Sequence, residues 1–100
     1  EIQAASTAGI YCLAIGEDDR VAVLEAARAC RVAGIATAMD YRNRSAKAQF
    51  KEAHRLSAPF VMVIGPDERE AGVVVLRDME QGEEEKISRG EAVSRLAAPA

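Results

Sequence analysis

The densest set of side chains able to recognise a ligand lies between positions 41 and 55: Tyr41, Arg42, Asn43, Arg44, Lys47, Gln49, Lys51 and Arg55. Arg42 and Arg44 supply planar forks of N–H donors, Asn43 can pair with a base edge, and Tyr41 offers a face for stacking, all just ahead of a helical pattern. Lys47, Lys51 and Arg55 recur every fourth residue, so a helix places them on one face. Stacking, base-edge hydrogen bonds and a few phosphate contacts are together how single-stranded RNA is read. The plain alternative is a solvated, charged helix face, and the residues by themselves leave both open.

Other chemistries fare worse. Gly16 follows an apolar run, as in strand-Gly-helix phosphate sites, but Glu17, Asp18 and Asp19 come next and would repel a phosphate from that helix start. His54 is the only histidine, so a catalytic triad or histidine-rich metal site would depend on it alone. Helical spacing places it near Lys47 and Lys51, as a solvated outer-face residue. Asp67, Glu68 and Glu70 fall in a turn with no apolar cover to raise a carboxyl pKa for acid–base work. Cys12 and Cys30 have neither Cys-x-x-Cys spacing nor companion ligands and read as buried, reduced thiols. Met39, Met62 and Met79 fall in predicted strands, where core packing accounts for them.

The elements that must position these residues follow from periodicity. Residues 8–16 (AGIYCLAIG), 35–40 and 59–65 (PFVMVIG) are short apolar runs of the kind found in strands buried on both faces. Residues 19–33 form a helix with Asp18 as N-cap, Gly34 as terminator, and a core stripe of Val23, Ala26, Ala27, Cys30 and Ala33. A second helix spans 45–56, with Ala46, Phe50 and Ala53 inward. Pro66 to Glu70 turns the chain; 72–79 is a fourth strand, 80–82 a tight turn, and 83–87 a short charged edge strand. A last helix starts at Ser88 or Arg89 and runs to Ala97. The order β-α-β-α-β-β-β-α predicts an α/β domain with a mixed sheet and right-handed crossovers.

The chain has 100 residues, 49% hydrophobic and only 4% aromatic, which suits one domain with an aliphatic core. Residues 1–7 show no clear periodicity and read as a linker from an upstream domain, with residues 8–100 as the domain itself. No apolar run approaches the roughly 20 residues needed to cross a bilayer, so a soluble, cytoplasmic protein with no membrane partner is expected. The net charge of −3 argues against a general nucleic-acid coat, yet basic residues gather in the middle and Glu80 with Glu83, Glu84 and Glu85 near the end.

Residues 40–68 (DYRNRSAKAQFKEAHRLSAPFVMVIGPDE) followed by 71–87 (AGVVVLRDMEQGEEEKI) resemble the C-terminal anticodon-binding domain shared by class II histidyl-, threonyl-, prolyl- and glycyl-tRNA synthetases. The resemblance covers nearly the whole chain. The stretch Ser45 to Ala53 and the Arg77-Asp78-Met79-x-x-Gly82-Glu83 hairpin look most like the histidyl enzymes. The sequence departs from them at Arg42 and Asn43, where smaller residues such as glycine are common. The resemblance implies a three-layer α/β/α fold, a five-stranded mixed sheet with three helices, appended to a catalytic domain. It implies tRNA contacts from Tyr41, Arg42, Asn43 and Arg44 in the turn, Lys47, Gln49 and Lys51 on the helix, Glu68 after the third strand and Arg77 on the fourth. Gln49 could instead support the fold.

The class II catalytic motifs are absent, so the resemblance implies no catalysis and no cofactor for this domain. ATP, magnesium and a homodimeric state belong to the expected parent, a histidine-tRNA ligase. Val21, Leu24 and Val32, on the less core-like side of the first helix, are expected to meet its catalytic domain. The alternatives are the corresponding domain of a threonyl, prolyl or glycyl enzyme, a synthetase-like regulatory or dimerisation module, and a small ligand-binding or redox domain.

Overall fold

A computed structural model of the chain describes residues 9–97. The elements are β1 (Ile10–Ala14), α1 (Arg20–Val32), β2 (Thr37–Met39), α2 (Ala46–Arg55), β3 (Phe60–Ile64), α3 (Pro66–Ala71), β4 (Val73–Asp78), β5 (Glu83–Ser88) and α4 (Arg89–Ala97). A 3-10 turn, Glu17–Asp19, leads into α1. The five strands form one sheet in the order β2-β1-β3-β4-β5, with β1 parallel to β2 and β3, and β4 antiparallel to both β3 and β5. This is the expected mixed sheet with its terminal hairpin. The assigned linker, residues 1–7, lies outside the described residues, as do positions 8 and 98–100 of the assigned domain.

Alternation along the strands splits the core into two layers. Ile10, Cys12, Met62, Ile64, Val74 and Leu76 face α1 and α4, which contribute Val23, Ala26, Ala27, Cys30 and Ala92. Tyr11, Leu13, Val61 and Val63 face the other way, onto Ala53 of α2 with Ala46 and Phe50 beside it. The alanine-rich stripe of α1 lets its backbone lie close to the sheet. Cys12 and Cys30 are free and meet in this layer. The hydrogen bond between them and burial push the Cys12 thiol well above its ordinary value, so it is an inert packing residue.

Three local expectations change. Ala33 is exposed, because α1 ends at Val32 and Gly34, at φ +87, turns the chain in a left-handed conformation that L side chains rarely adopt. Asp19 rather than Asp18 stands at the N-cap position of α1, but its side chain makes no capping bond to that helix: its Oδ2 accepts the Gly16 N–H at 3.0 Å, closing the 3-10 turn, and its Oδ1 accepts from Arg69 Nε at 2.8 Å. Residues 66–70 are not a simple turn but most of a fourth, short helix of six residues. Pro66 is at the first helical position, Glu68 accepts the Gly65 N–H, and Gly72 closes the helix in the left-handed region. The three longer helices still form the two outer layers, and α3 plugs the space beside β4 and β3.

Candidate nucleic-acid interface

The polar turn is held from within. Asp40, buried at the end of β2, accepts the Arg44 N–H at 2.7 Å and Arg44 Nε at 2.8 Å. Asn43 between them has φ 56, a left-handed conformation that asparagine tolerates better than most residues. Ser45 accepts the Ala48 N–H at 3.2 Å and starts α2. Tyr41 and Arg42 are thus displayed on a short, closed loop, both exposed.

Burial pushes the Asp40 carboxyl up, but hydrogen bonds from the Arg44 main chain and guanidinium and from the Arg42 main chain outweigh it, holding the group below its ordinary value of 3.8. A carboxyl depressed in the folded state contributes stability above its unfolded pKa and loses it as pH falls through the folded value. This carboxyl's contribution to stability should therefore be lost as pH falls below about 4 in the wild type. Asp40→Asn should flatten that acid limb, as read from urea unfolding at a series of pH values; an unchanged acid limb would place the linkage on another carboxylate.

The predicted contacts separate into free and committed groups. Arg42, Lys47 and Lys51 are exposed and form no ion pair among the described residues. Arg44 is engaged by Asp40, and Arg77 donates to Glu84 across the β4–β5 pair at 2.8 Å. Glu68 caps α3 through Oε1, and its Oε2 lies 3.6 Å from Lys86 Nζ. Gln49 is only 3% exposed. Its Oε1 accepts the Ala14 N–H at 3.2 Å, and its Nε2 donates to the carbonyls of Ala14 and Arg44 at 2.9 and 2.8 Å. Since β2 stops at Met39, opposite Cys12, the Gln49 amide takes the place of the missing neighbouring strand at Ala14.

Lys47, Lys51 and Arg77 converge. With Phe50, His54 and Met79 they line an open concavity of about 510 Å³ where α2 overhangs β4. Apolar surface rimmed by the exposed Lys47 and Lys51, with Arg77 held by Glu84 beside them, suits single-stranded nucleic acid, whose bases stack while its phosphates meet the charges. His54 is exposed as expected, but it belongs to this concavity. Sequence spacing missed Asp40, although its separation of four from Arg44 was a signal. Nothing local could have marked Met79 or the neighbourhood of Arg77, because these depend on β4 lying beside β3 under α2.

No group of three His, Cys, Asp or Glu among the described residues could hold a metal. The segment after β1 starts with Glu17, Asp18 and Asp19, whose negative charge disfavours a phosphate at that helix start. No helix among the described residues is long and apolar enough to cross a membrane.

A three-layer sheet domain with a displayed turn and a basic, partly apolar groove has the features of an RNA-loop reader. The chain belongs to the anticodon binding domain family, whose pattern it matches over residues 7–98. It is 38% identical over 97 residues to a histidine-tRNA ligase of Lysinibacillus sphaericus (strain C3-41), covering 97% of this chain and 23% of that protein. Apo S. aureus histidyl-tRNA synthetase superposes with a TM-score of 0.85 at 28% identity, covering 98% of this chain and 25% of that one. The RNA binding domain of threonyl-tRNA synthetase from Cryptosporidium parvum Iowa II shares the fold at a TM-score of 0.84 and 19% identity, over 90% of this chain and 23% of that one. The chain thus spans about a quarter of the length of the relatives it matches.

Proposed function

We propose that this domain binds the anticodon stem-loop of a histidine tRNA and serves a larger histidine-tRNA ligase, whose catalytic domain charges that tRNA with ATP and magnesium. The carrying observation is that Arg42, Lys47 and Lys51, all without ion-pair partners among the described residues, flank an exposed Tyr41 and an apolar concavity. Tyr41, Arg42 and Asn43 engage bases, Lys47, Lys51 and Arg77 meet phosphates, and Glu68, just beyond the end of β3, accepts from a base amino group. Arg44 and Gln49 act behind them, holding the turn and the start of α2. The domain itself transfers nothing.

The parent enzyme is expected in the cytoplasm as a homodimer. The outer face of α1, with Val21, Leu24 and Val32 at 67, 50 and 81% exposure, docks on its catalytic domain. The likeness to a threonyl RNA binding domain keeps a second reading, the same module in a threonyl, prolyl or glycyl enzyme.

Binding of the 100-residue chain to a histidine-tRNA anticodon stem-loop, beside one with an altered anticodon, tests the proposal. The histidine loop should be preferred, and Arg42→Ala should remove about 1–3 kcal/mol of that preference. Glu68→Gln keeps an oxygen for Gly65 while removing the charge, and should weaken the preference without unfolding α3. Equal binding to both loops would overturn the histidine assignment, and binding to neither would overturn anticodon reading by this chain.

A further inference from the structure

We propose that Arg31, in the last turn of α1, is a positioning residue that holds the Tyr41 ring ready as a stacking platform for one base of the bound loop. The inference rests on the anticodon-binding reading above and adds a residue from an element outside the polar turn.

Tyr41 is 65% exposed, an unusual setting for a large aromatic side chain in a chain with so few. An exposed ring would ordinarily sample several rotamers and would have to be immobilised when a base stacked on it. Here both ends of the residue are tied. Its backbone leaves Asp40, whose carboxylate closes the turn through Arg44. Its hydroxyl meets Arg31 Nη2 at 3.0 Å, and the same nitrogen lies 3.4 Å from the Thr37 carbonyl on β2. Arg31 is anchored by α1, packed against β1 and β2 through Ala27 and Cys30. The tether thus joins a rigid helix to the ring tip, leaving the ring faces for a base.

A ring fixed in advance spares the cost of ordering one side chain on binding, which corresponds to roughly 2- to 12-fold in affinity. Because Arg31 works through the hydroxyl, removing either end of the tether should have the same consequence. If Arg31 were simply another phosphate contact, its loss would instead lower the salt dependence of binding, by about 0.7 in the slope of log K against log salt.

The test is a double-mutant cycle on the 100-residue chain with Arg31→Ala and Tyr41→Phe, plus Tyr41→Ala. It uses the histidine-tRNA anticodon stem-loop and a set of loops in which each base is made abasic in turn. Arg31→Ala and Tyr41→Phe should each weaken binding by about 2- to 12-fold, and the double variant no further. One abasic position should abolish the effect of both substitutions and of Tyr41→Ala. Additive losses, or an Arg31→Ala loss that persists in the Tyr41→Ala background with a shallower salt slope, would overturn the positioning role and leave the anticodon reading intact. Wild-type chain that binds none of the loops would overturn both. Thermal melting checks that these surface variants remain folded.

Discussion

Gln49→Leu should destabilise the domain by about 3 kcal/mol or more, and lower its melting temperature by about 10 °C or more. Leucine fits the volume but strips partners from the Ala14 N–H and the carbonyls of Ala14 and Arg44, all of which now meet the Gln49 amide. Each group left buried and unpaired costs roughly 1–3 kcal/mol, and leucine keeps out the water that would rescue them. Gln49→Glu should also destabilise at neutral pH, since a carboxylate cannot donate to either carbonyl. Urea unfolding measures both. A Gln49→Leu cost near zero would mean that the end of β1 relaxes to find other partners.

The second large effect concerns RNA. If Arg42, Lys47 and Lys51 each neutralise a phosphate of a single-stranded loop, replacing all three with alanine should reduce the slope of log K against log salt by about 2. Between 50 and 200 mM salt, the wild type should then lose roughly 20-fold more affinity than the triple variant. The three residues are exposed and form no ion pair among the described residues, so stability should hardly change. Fluorescence titrations at four salt concentrations would suffice. Parallel salt dependences would show that these cations face solvent in the complex, leaving recognition to Tyr41, Asn43 and Arg77.

Both predictions concern the start of α2, yet they differ in how far they could be foreseen. The stripe of Lys47 and Lys51 is visible in four-residue spacing, because a helix repeats every 3.6 residues whatever it packs against. That Gln49 would be buried was only one of two readings of its position. Its role depends on β2 stopping two residues before the end of β1, and strand length is set by neighbours in space. Likewise the turn at 66–70 carried its helical signals, Pro66 and Glu68 followed by Gly72, but a six-residue helix is marginal until it packs on β3 and β4.

Local sequence therefore determined the element order, the mixed sheet, most of the α1 and α2 core stripes, and the exposed basic face, since each follows from backbone periodicity and turn chemistry within a few residues. The tertiary structure alone decided which polar residues remain free to meet a partner. Asp19 is bound to Arg69 fifty positions away, Gln49 to Ala14 thirty-five away, and Arg31 to Tyr41 across the gap between α1 and β2. A side chain's donors and acceptors are claimed by whatever the fold brings within about 3 Å, and sequence separation places no limit on which group that is.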